Sequence, residues 1–186
     1  MSKPSFRFVR DHKHLEEQLL GLKGQRCGRC GCAESLNRHS LLYGNDPADC
    51  AKQVVRGQRV WCSDRGQRGG CGKTCSIFLA DILPRHTVPA TLLWKLLLQW
   101  LAGSSIKAAA ESLRLPFALE TLSQLVQRLR QRLPVLRPLL AQKQKPPASS
   151  ESDPLGQTLR HFQALFHSAA CPLQEFQLAF GRPLMG

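Results

Sequence analysis

The fold of this chain is decided by three short cysteine-containing segments: CGRCG at residues 27–31, RVWC at 59–62 and CGKTC at 71–75. Two thiols two residues apart can hold one metal ion from a tight turn, and a glycine after the second thiol lets the backbone curl toward the sulfurs. A strand ending in Cys62, followed by Cys71, would supply the other two ligands. The spacing predicts a tetrahedral zinc site with four thiolate ligands: Cys27, Cys30, Cys62 and Cys71.

The crowding of the cysteines supports a metal site over disulfides. Seven of the eight cysteines fall between Cys27 and Cys75, and thiols stay reduced inside cells. The glycine-rich insert SDRGQRGG (63–70) is longer than the usual spacing of about two residues. We expect it to loop out without separating the thiols on either side. Four thiolates leave no open coordination position, so the predicted zinc is structural.

Other side chains near the motif compete for the ligand positions. Cys32 or Cys75 could replace one ligand each, although Cys30 and Cys32 are too close for comfortable chelation. Cys75 precedes an apolar run and fits better as a small buried hydrophobe. His39 lies in a predicted strand, where a solvent or backbone contact is the commoner role. Cys50 lies in a polar turn and is predicted to be free.

The charge of the chain indicates a polyanionic partner. The 186 residues carry 26 Lys plus Arg against 13 Asp plus Glu, a formal net charge of +13. Such an excess favours nucleic acid or an acidic membrane surface. The most apolar stretch, residues 92–102, is too short to span a membrane and is interrupted by Lys95 and Gln99. No secretory apolar region precedes it. We expect a cytoplasmic protein with no membrane partner and no small-molecule substrate.

Composition shifts along the chain predict an α+β fold that is mostly helical. A small zinc β-ribbon would be followed by helices, and residues 143–154 (KQKPPASSESDP) read as a linker. The predicted segments are a basic helical lead-in (1–24), the zinc ribbon (25–80), a helical domain resembling a helix-turn-helix (89–142), the linker (143–154) and a C-terminal helical segment (155–186).

Three predicted helices follow the ribbon. The first, residues 92–101, is apolar around most of its circumference and should be buried, ending near Gly103. Ser104 or Ser105 can cap a second helix over residues 106–113. A turn at residues 114–116, ending in a proline, would separate it from a third helix over 118–133. Helix, short turn, helix is the layout of a DNA reader.

The third predicted helix has one apolar and one polar face. The apolar face repeats leucine or valine every three or four residues. Arginine can bind guanine edges and glutamine adenine edges, so the polar face suits base recognition. Two alternatives stay open: a merely solvated face, or a dimer seam formed by the apolar stripe continued through Leu136 and Leu140. The candidate DNA contacts on this helix are Thr121, Gln124, Gln127, Arg128, Arg130 and Arg132.

The ribbon segment also carries a dense set of cations. Such side chains contact phosphates, which sets affinity and orientation without reading sequence. The candidates are Arg38, Arg56, Arg59, Arg65, Arg68 and Lys73.

The cysteine segments, followed by the three predicted helices, resemble the N-terminal zinc ribbon and helix-turn-helix region of bacterial insertion-sequence transposases. The likeness covers roughly residues 25–135. It departs from the family in the long spacing between Cys62 and Cys71, and in Cys75, which stands where the family usually has an aromatic residue. In such proteins both modules recognise DNA, commonly at the ends of the element. The resemblance implies a bacterial, nucleoid-associated location.

No catalytic machinery is predicted. The thirteen acids do not form a pattern that would hold two metal ions, and too few residues follow residue 135 for a nuclease domain. We expect a zinc-containing protein that binds double-stranded DNA at transposon ends or an operator, as an accessory factor or repressor. A second copy of the chain or a separate transposase subunit are further candidate partners. The alternatives are an RNA-binding, ribosome-associated zinc protein, and an adapter that docks a catalytic subunit.

Overall fold

A computed structural model describes residues 6–49, 51–65 and 69–185. Within these ranges the protein is an α+β structure with four strands and six α-helices. The strands are β1 (Phe6–Val9), β2 (Leu36–Asn45), β3 (Gln53–Cys62) and β4 (Thr74–Leu79); the helices are α1 (His12–Leu20), α2 (Ala90–Leu101), α3 (Ile106–Ser112), α4 (Leu119–Ala141), α5 (Pro154–Leu165) and α6 (Pro172–Phe180). None of these helices combines the length and the apolar character that crossing a membrane requires.

The described residues form two compact units. Unit 1 contains everything up to Ile82 together with Gln177–Arg182. Unit 2 contains Leu83–Phe176 and the residues from Pro183 onward. In unit 1 the buried side chain of Gln177 donates hydrogen bonds to the carbonyl oxygens of Ala80 (2.7 Å) and Ile82 (2.9 Å). Two backbone acceptors that follow β4 are thereby satisfied.

Unit 1 is built on one sheet with the strand order β1-β4-β3-β2. β2, β3 and β4 are antiparallel neighbours, and β1 adds to β4 in parallel. The β-branched and aromatic runs of the ribbon segment form strands: residues 54–55 and 60–61 lie in β3, and 77–78 in β4. Such side chains pack well on a pleated surface. The sheet places Cys62 at the end of β3, as the sequence predicted.

The N-terminal segment contains a strand as well as the predicted helix. α1 is present, with Leu15 and Leu19 buried and Asp11 capping it by accepting from the backbone N–H of His14 at 2.8 Å. The purely helical prediction for this segment missed β1, whose Phe8 pairs in register with Phe78 of β4. A strand of only four residues is too short to show a clear alternation.

The first two helices predicted after the ribbon are present as α2 and α3, but α2 begins two residues earlier than predicted and α3 ends one residue earlier. α2 is buried through Leu93, Leu96 and Leu97. Ser105 caps α3 by accepting from the backbone N–H of Ala108 at 3.1 Å. α3 ends at Ser112, and Arg114, which follows the C-cap residue Leu113, has a φ of 49° in the left-handed region, where glycine usually stands.

α4 runs further than predicted, to residue 141 instead of 133. Pro134 and Pro138 lie inside it and are exposed. Each removes one helical N–H donor, but Leu136 and Leu140 continue the buried row and are 1% and 0% exposed. This row is therefore buried within the described chain, which leaves no leucine seam for a dimer.

The C-terminal segment adds to the core of unit 2. Leu159 and Phe162 of α5 are buried, and the ring of Phe162 meets that of Phe176 edge to face, with centroids 5.6 Å apart. The predicted linker is tied to α5, because Nε2 of the buried His161 lies 2.9 Å from the carbonyl oxygen of Gln144.

An ion pair joins α4 to the start of α5. The guanidinium of Arg130 donates to both carboxylate oxygens of Asp153, at 2.7 and 2.8 Å. The same guanidinium lies over the ring of Trp100, 5.4 Å from its centroid. Asp153 also caps α5 by accepting from the backbone N–H of Leu155. The hydrogen bonds from Arg130 are the main cause of the lowered pKa of Asp153.

We predict that Asp153→Asn keeps the cap but loses the ion pair, lowering the free energy of unfolding by about 1 kcal/mol. Asp153→Ala loses both the cap and the ion pair, and should lower the free energy of unfolding by about 2 kcal/mol. Because the folded-state pKa is lowered, the charge of Asp153 stabilises the fold above pH 3.8 and this contribution is lost as the pH falls below that value. Urea unfolding at several pH values measures this contribution to the free energy of unfolding. The account would be contradicted if the difference in this free energy between wild type and Asp153→Asn grew as the pH was lowered.

Candidate metal centre

The first pair of thiols lies on a tight backbone turn. The N–H of Cys27 donates to the carbonyl of Cys32, and the N–H of Gly31 to the carbonyl of Cys27, both at 2.9 Å. Gly31 has a φ of 78°, which side-chain-bearing residues rarely adopt. The glycine after the second thiol therefore has the role that the sequence predicted for it.

The second pair of thiols is held together in spite of the insert. The N–H of Cys62 donates to the carbonyl of Lys73 at 2.9 Å, and the N–H of Cys71 donates to the Cys62 sulfur at 3.3 Å. Gly70 lies so close to the Cys62 sulfur and the Ser63 carbonyl that a Cβ at this position would collide with both. A glycine is needed where the ends of the insert come together.

The four predicted thiols come together at one point. Their sulfur atoms all lie within 4.8 Å of one another, with 3.9 Å between Cys27 and Cys71 and 3.7 Å between Cys30 and Cys62. Four sulfurs around a tetrahedral metal ion at about 2.3 Å are about 3.8 Å apart. The two distances of 3.9 and 3.7 Å match this spacing, so the four sulfurs are placed where they could hold one metal ion. No other group of three or more His, Cys, Asp or Glu side chains within the described ranges is placed to share one.

Groups outside the predicted ligand set support the sulfurs. The hydroxyl of the buried Ser35 lies 3.2 Å from the sulfur of Cys62. The backbone N–H of Arg29 donates to the sulfur of Cys27 at 3.4 Å. Such contacts orient thiolates and spread their charge. Sequence reasoning missed Ser35, because a lone serine before a strand carries no spacing signal.

The thiols differ in acidity. Burial raises the pKa of Cys27, but hydrogen bonds from the backbone of Cys30 and Arg29 and from neighbouring thiols outweigh it and lower the pKa from 9.0 to about 7. Burial and hydrogen bonds with the other three thiols raise the pKa of Cys71 to about 11. Cys27 is therefore the first of these two to ionise. A metal ion must displace the remaining protons, so its binding tightens as the pH rises.

The competing ligands lie outside the cluster. The sulfur of Cys32 donates to the carbonyl of Ala33 at 3.4 Å. Cys75 packs against the hydrophobic core of unit 1, and burial raises its pKa. His39 is exposed, with Nδ1 beside the hydroxyl of Ser40. Cys50 lies outside the described residues.

The cationic side chains predicted to contact phosphates in unit 1 differ in their exposure to solvent. Arg56 is buried, and its burial lowers its pKa, so it is not on the surface that a phosphate could reach. Arg65 stacks over the ring of Trp61 at 5.4 Å. Arg38 pairs with Glu16 at 3.2 Å on the surface, where such a pair is weak. Arg68 lies outside the described residues. The exposed members of the predicted set are Arg38, Arg59, Arg65 and Lys73.

The predicted polar face of α4 is mostly exposed. Arg130 is an exception, since its guanidinium is engaged by Asp153 and Trp100. Arg132 is half-buried. The exposed members of the predicted set are Thr121, Gln124, Gln127 and Arg128.

Comparisons of the chain with models of protein families, with curated proteins and with solved structures find no match.

We predict that Cys62→Ser abolishes stoichiometric metal binding, because three thiolates and a hydroxyl replace a closed set of four thiolates. Elemental analysis of the purified chain should give about one ion per wild-type molecule and far less for the variant.

Cys32→Ser and Cys75→Ser serve as matched controls, because both thiols lie near the cluster but outside it. Both variants should keep the bound ion. Loss of metal in either control as complete as in Cys62→Ser would show that the ligand set is wrong.

Proposed function

We propose that the four thiols hold a structural zinc ion and that the chain binds double-stranded DNA. Soft thiolate donors in a tetrahedral set are the ligands that zinc prefers in structural sites. The sulfur distances of 3.7 and 3.9 Å support this choice. Cys27 and Cys62 are themselves buried in the hydrophobic core of unit 1. The ion would therefore stabilise the end of the sheet where the cysteine turns meet.

The proposed DNA reader is the helix-turn-helix formed by α3 and α4. α3 is capped by Ser105, and just beyond its C-terminus the N–H of Arg114 donates to the carbonyl of Glu111 at 3.0 Å. The next N–H, from Leu115, donates to the carbonyl of Ala110 at the same distance. These two bonds close the helix end and redirect the chain before α4 begins. A helix, a turn and a longer helix follow one another in the order of a helix-turn-helix DNA reader, in which the last helix enters the major groove.

The observation that carries the DNA proposal is the exposed polar face of α4. Gln127 and Arg128 lie three and four residues after Gln124, so both flank Gln124 on one side of the helix. Leu122, Val126 and Leu129 are buried on the other side and fix the rotation of the helix. Glutamine amides pair with adenine and guanidinium groups with guanine.

The exposed cations of unit 1 would add phosphate contacts. Arg38, Arg59, Arg65 and Lys73 are on the surface, and the chain as a whole carries a net charge of +13. Such contacts supply affinity that falls with salt but carry no sequence information. Arg56 and Arg130 are left out of this proposal because one is buried and the other is paired with a carboxylate.

We propose a biological role in line with the resemblance noted above. The chain would act as the DNA-recognition part of a bacterial transposase system, binding the ends of the element or an operator as an accessory factor or repressor. Its role would be binding without catalysis.

Selection from a randomised duplex DNA library by the zinc-loaded chain tests this function. We predict enrichment of a defined motif. Gln124→Ala and Gln127→Ala should each change the preference at one base pair by about 5- to 100-fold in affinity, because each removes a bidentate contact. Fluorescence anisotropy on the selected duplex measures these changes.

Gln99→Ala is the matched control, because Gln99 is exposed on α2, outside the reader. It should bind like wild type. Absence of an enriched motif, with binding that fades steeply with salt, would contradict sequence-specific recognition. Preference for RNA in competition would favour the ribosome-associated alternative, and a stable heteromeric complex without DNA would favour the adapter.

A further inference from the structure

A cavity in unit 2 is lined by several arginines. It has a volume of about 360 Å³ and is open to solvent. Arg85 and His86 come from the loop that precedes α2, and Arg128 and Arg132 come from α4. Pro84, Gln131 and Met185 complete the lining. Neither Arg85 nor His86 belongs to the residues predicted to contact DNA.

Among the residues that the structure describes, no acid balances the charges in this cavity. None of its described lining residues carries a carboxylate. Within the described ranges, Arg85, Arg128 and Arg132 form no ion pair with an acid. Arg128 and Arg132 are four residues apart on one helix face, a spacing at which like charges repel. Three guanidinium groups around one space therefore favour an anion between them.

A second observation points to a missing acceptor. The Nε atom of Arg132 is buried and has no hydrogen-bond partner among the described residues. Buried polar groups are almost always paired, and an unpaired charged donor is costly. A bound anion would supply the acceptor.

The backbone of the loop contributes to the arrangement. Arg85 has a φ of 69°, a left-handed conformation that is unfavourable for an L-residue with a long side chain. The N–H of the next residue, His86, donates to the carbonyl of Leu83 at 3.0 Å and closes the turn. This strained turn holds Arg85 at the cavity opposite α4, and strain of this kind concentrates at binding sites.

We propose that this cavity binds a single phosphate group. A phosphate carries up to two negative charges and presents oxygens in several directions, which suits three planar guanidinium forks better than a carboxylate does. The volume leaves room for the group to which the phosphate is attached. The phosphate can come from a DNA backbone or from a free phosphate or mononucleotide. The inference rests on the cavity alone and stands whether or not the chain reads DNA sequence.

Nuclear magnetic resonance of the zinc-loaded full chain tests the proposal. Inorganic phosphate is added at constant ionic strength set with chloride, and the arginine Nε–Hε signals are followed. We expect a saturable shift of the Arg132 signal. Arg128→Gln and Arg132→Gln should each weaken phosphate binding about tenfold, because each removes a charge-assisted hydrogen bond.

The matched control is Arg137→Gln, which removes the same charge from an exposed position of α4 outside the cavity. It should change phosphate affinity by less than about twofold. An Arg132 signal shift that does not saturate with phosphate would overturn the proposal, as would an equal loss of phosphate affinity in Arg137→Gln. Either result would show general attraction of phosphate to a basic surface.

A duplex oligonucleotide identifies the source of the phosphate. Displacement of bound phosphate by the duplex assigns the site to the DNA backbone, and the double variant Arg128→Gln, Arg132→Gln should then reduce the slope of log affinity against log salt by about one. If phosphate stays bound in the presence of the duplex, the site is assigned to a free phosphate or mononucleotide. If the chain binds no DNA but still binds phosphate, the proposed function fails and this inference stands.

Discussion

The convergence of four sulfur atoms from separate stretches of chain is the constraint on which unit 1 depends. Two thiols come from a turn before β2, one from the end of β3 and one from beyond an eight-residue insert. Cys27 and Cys62 are at the same time members of the hydrophobic core, beside Leu36, Val60 and Ile77. Because a unit of this size buries only a modest core, a metal ion bound there would add stability where hydrophobic burial is least able to supply it.

Unit 2 depends on a different element, the buried leucine row of α4. This row passes two prolines without interruption and sets which residues of the helix face solvent. The arginines of α4 then take different roles according to their position. Arg130 is held by Asp153 and the ring of Trp100, whereas Arg128 and Arg132 line a cavity together with Arg85. One basic helix thus combines a structural cation with others that are available to an anion.

The cluster of four cysteines could be predicted from sequence because chelation imposes a spacing, and Cys27-x-x-Cys30 shows that spacing directly. The roles of the arginines could not, because the same side chain type is found buried at 56, paired at 130 and exposed at 59. Strand β1 was also missed, since four residues carry little periodicity. The sequence predicted too early an end for α4, because the burial of Leu136 and Leu140 outweighs the low helix propensity of the two prolines. The cavity that Arg85 lines together with residues of α4 could not be predicted, because these residues are far apart in the sequence.

The most direct test of the metal-centred account is hydrogen exchange of the full chain, measured with zinc bound and after removal of the metal by a chelator. The account predicts that amide protection in β2, β3 and β4 falls about tenfold or more without metal, while protection in α2, α4 and α5 is unchanged. Equal protection of the strands in the two states would contradict it, because the sulfur cluster would then have no part in holding the sheet.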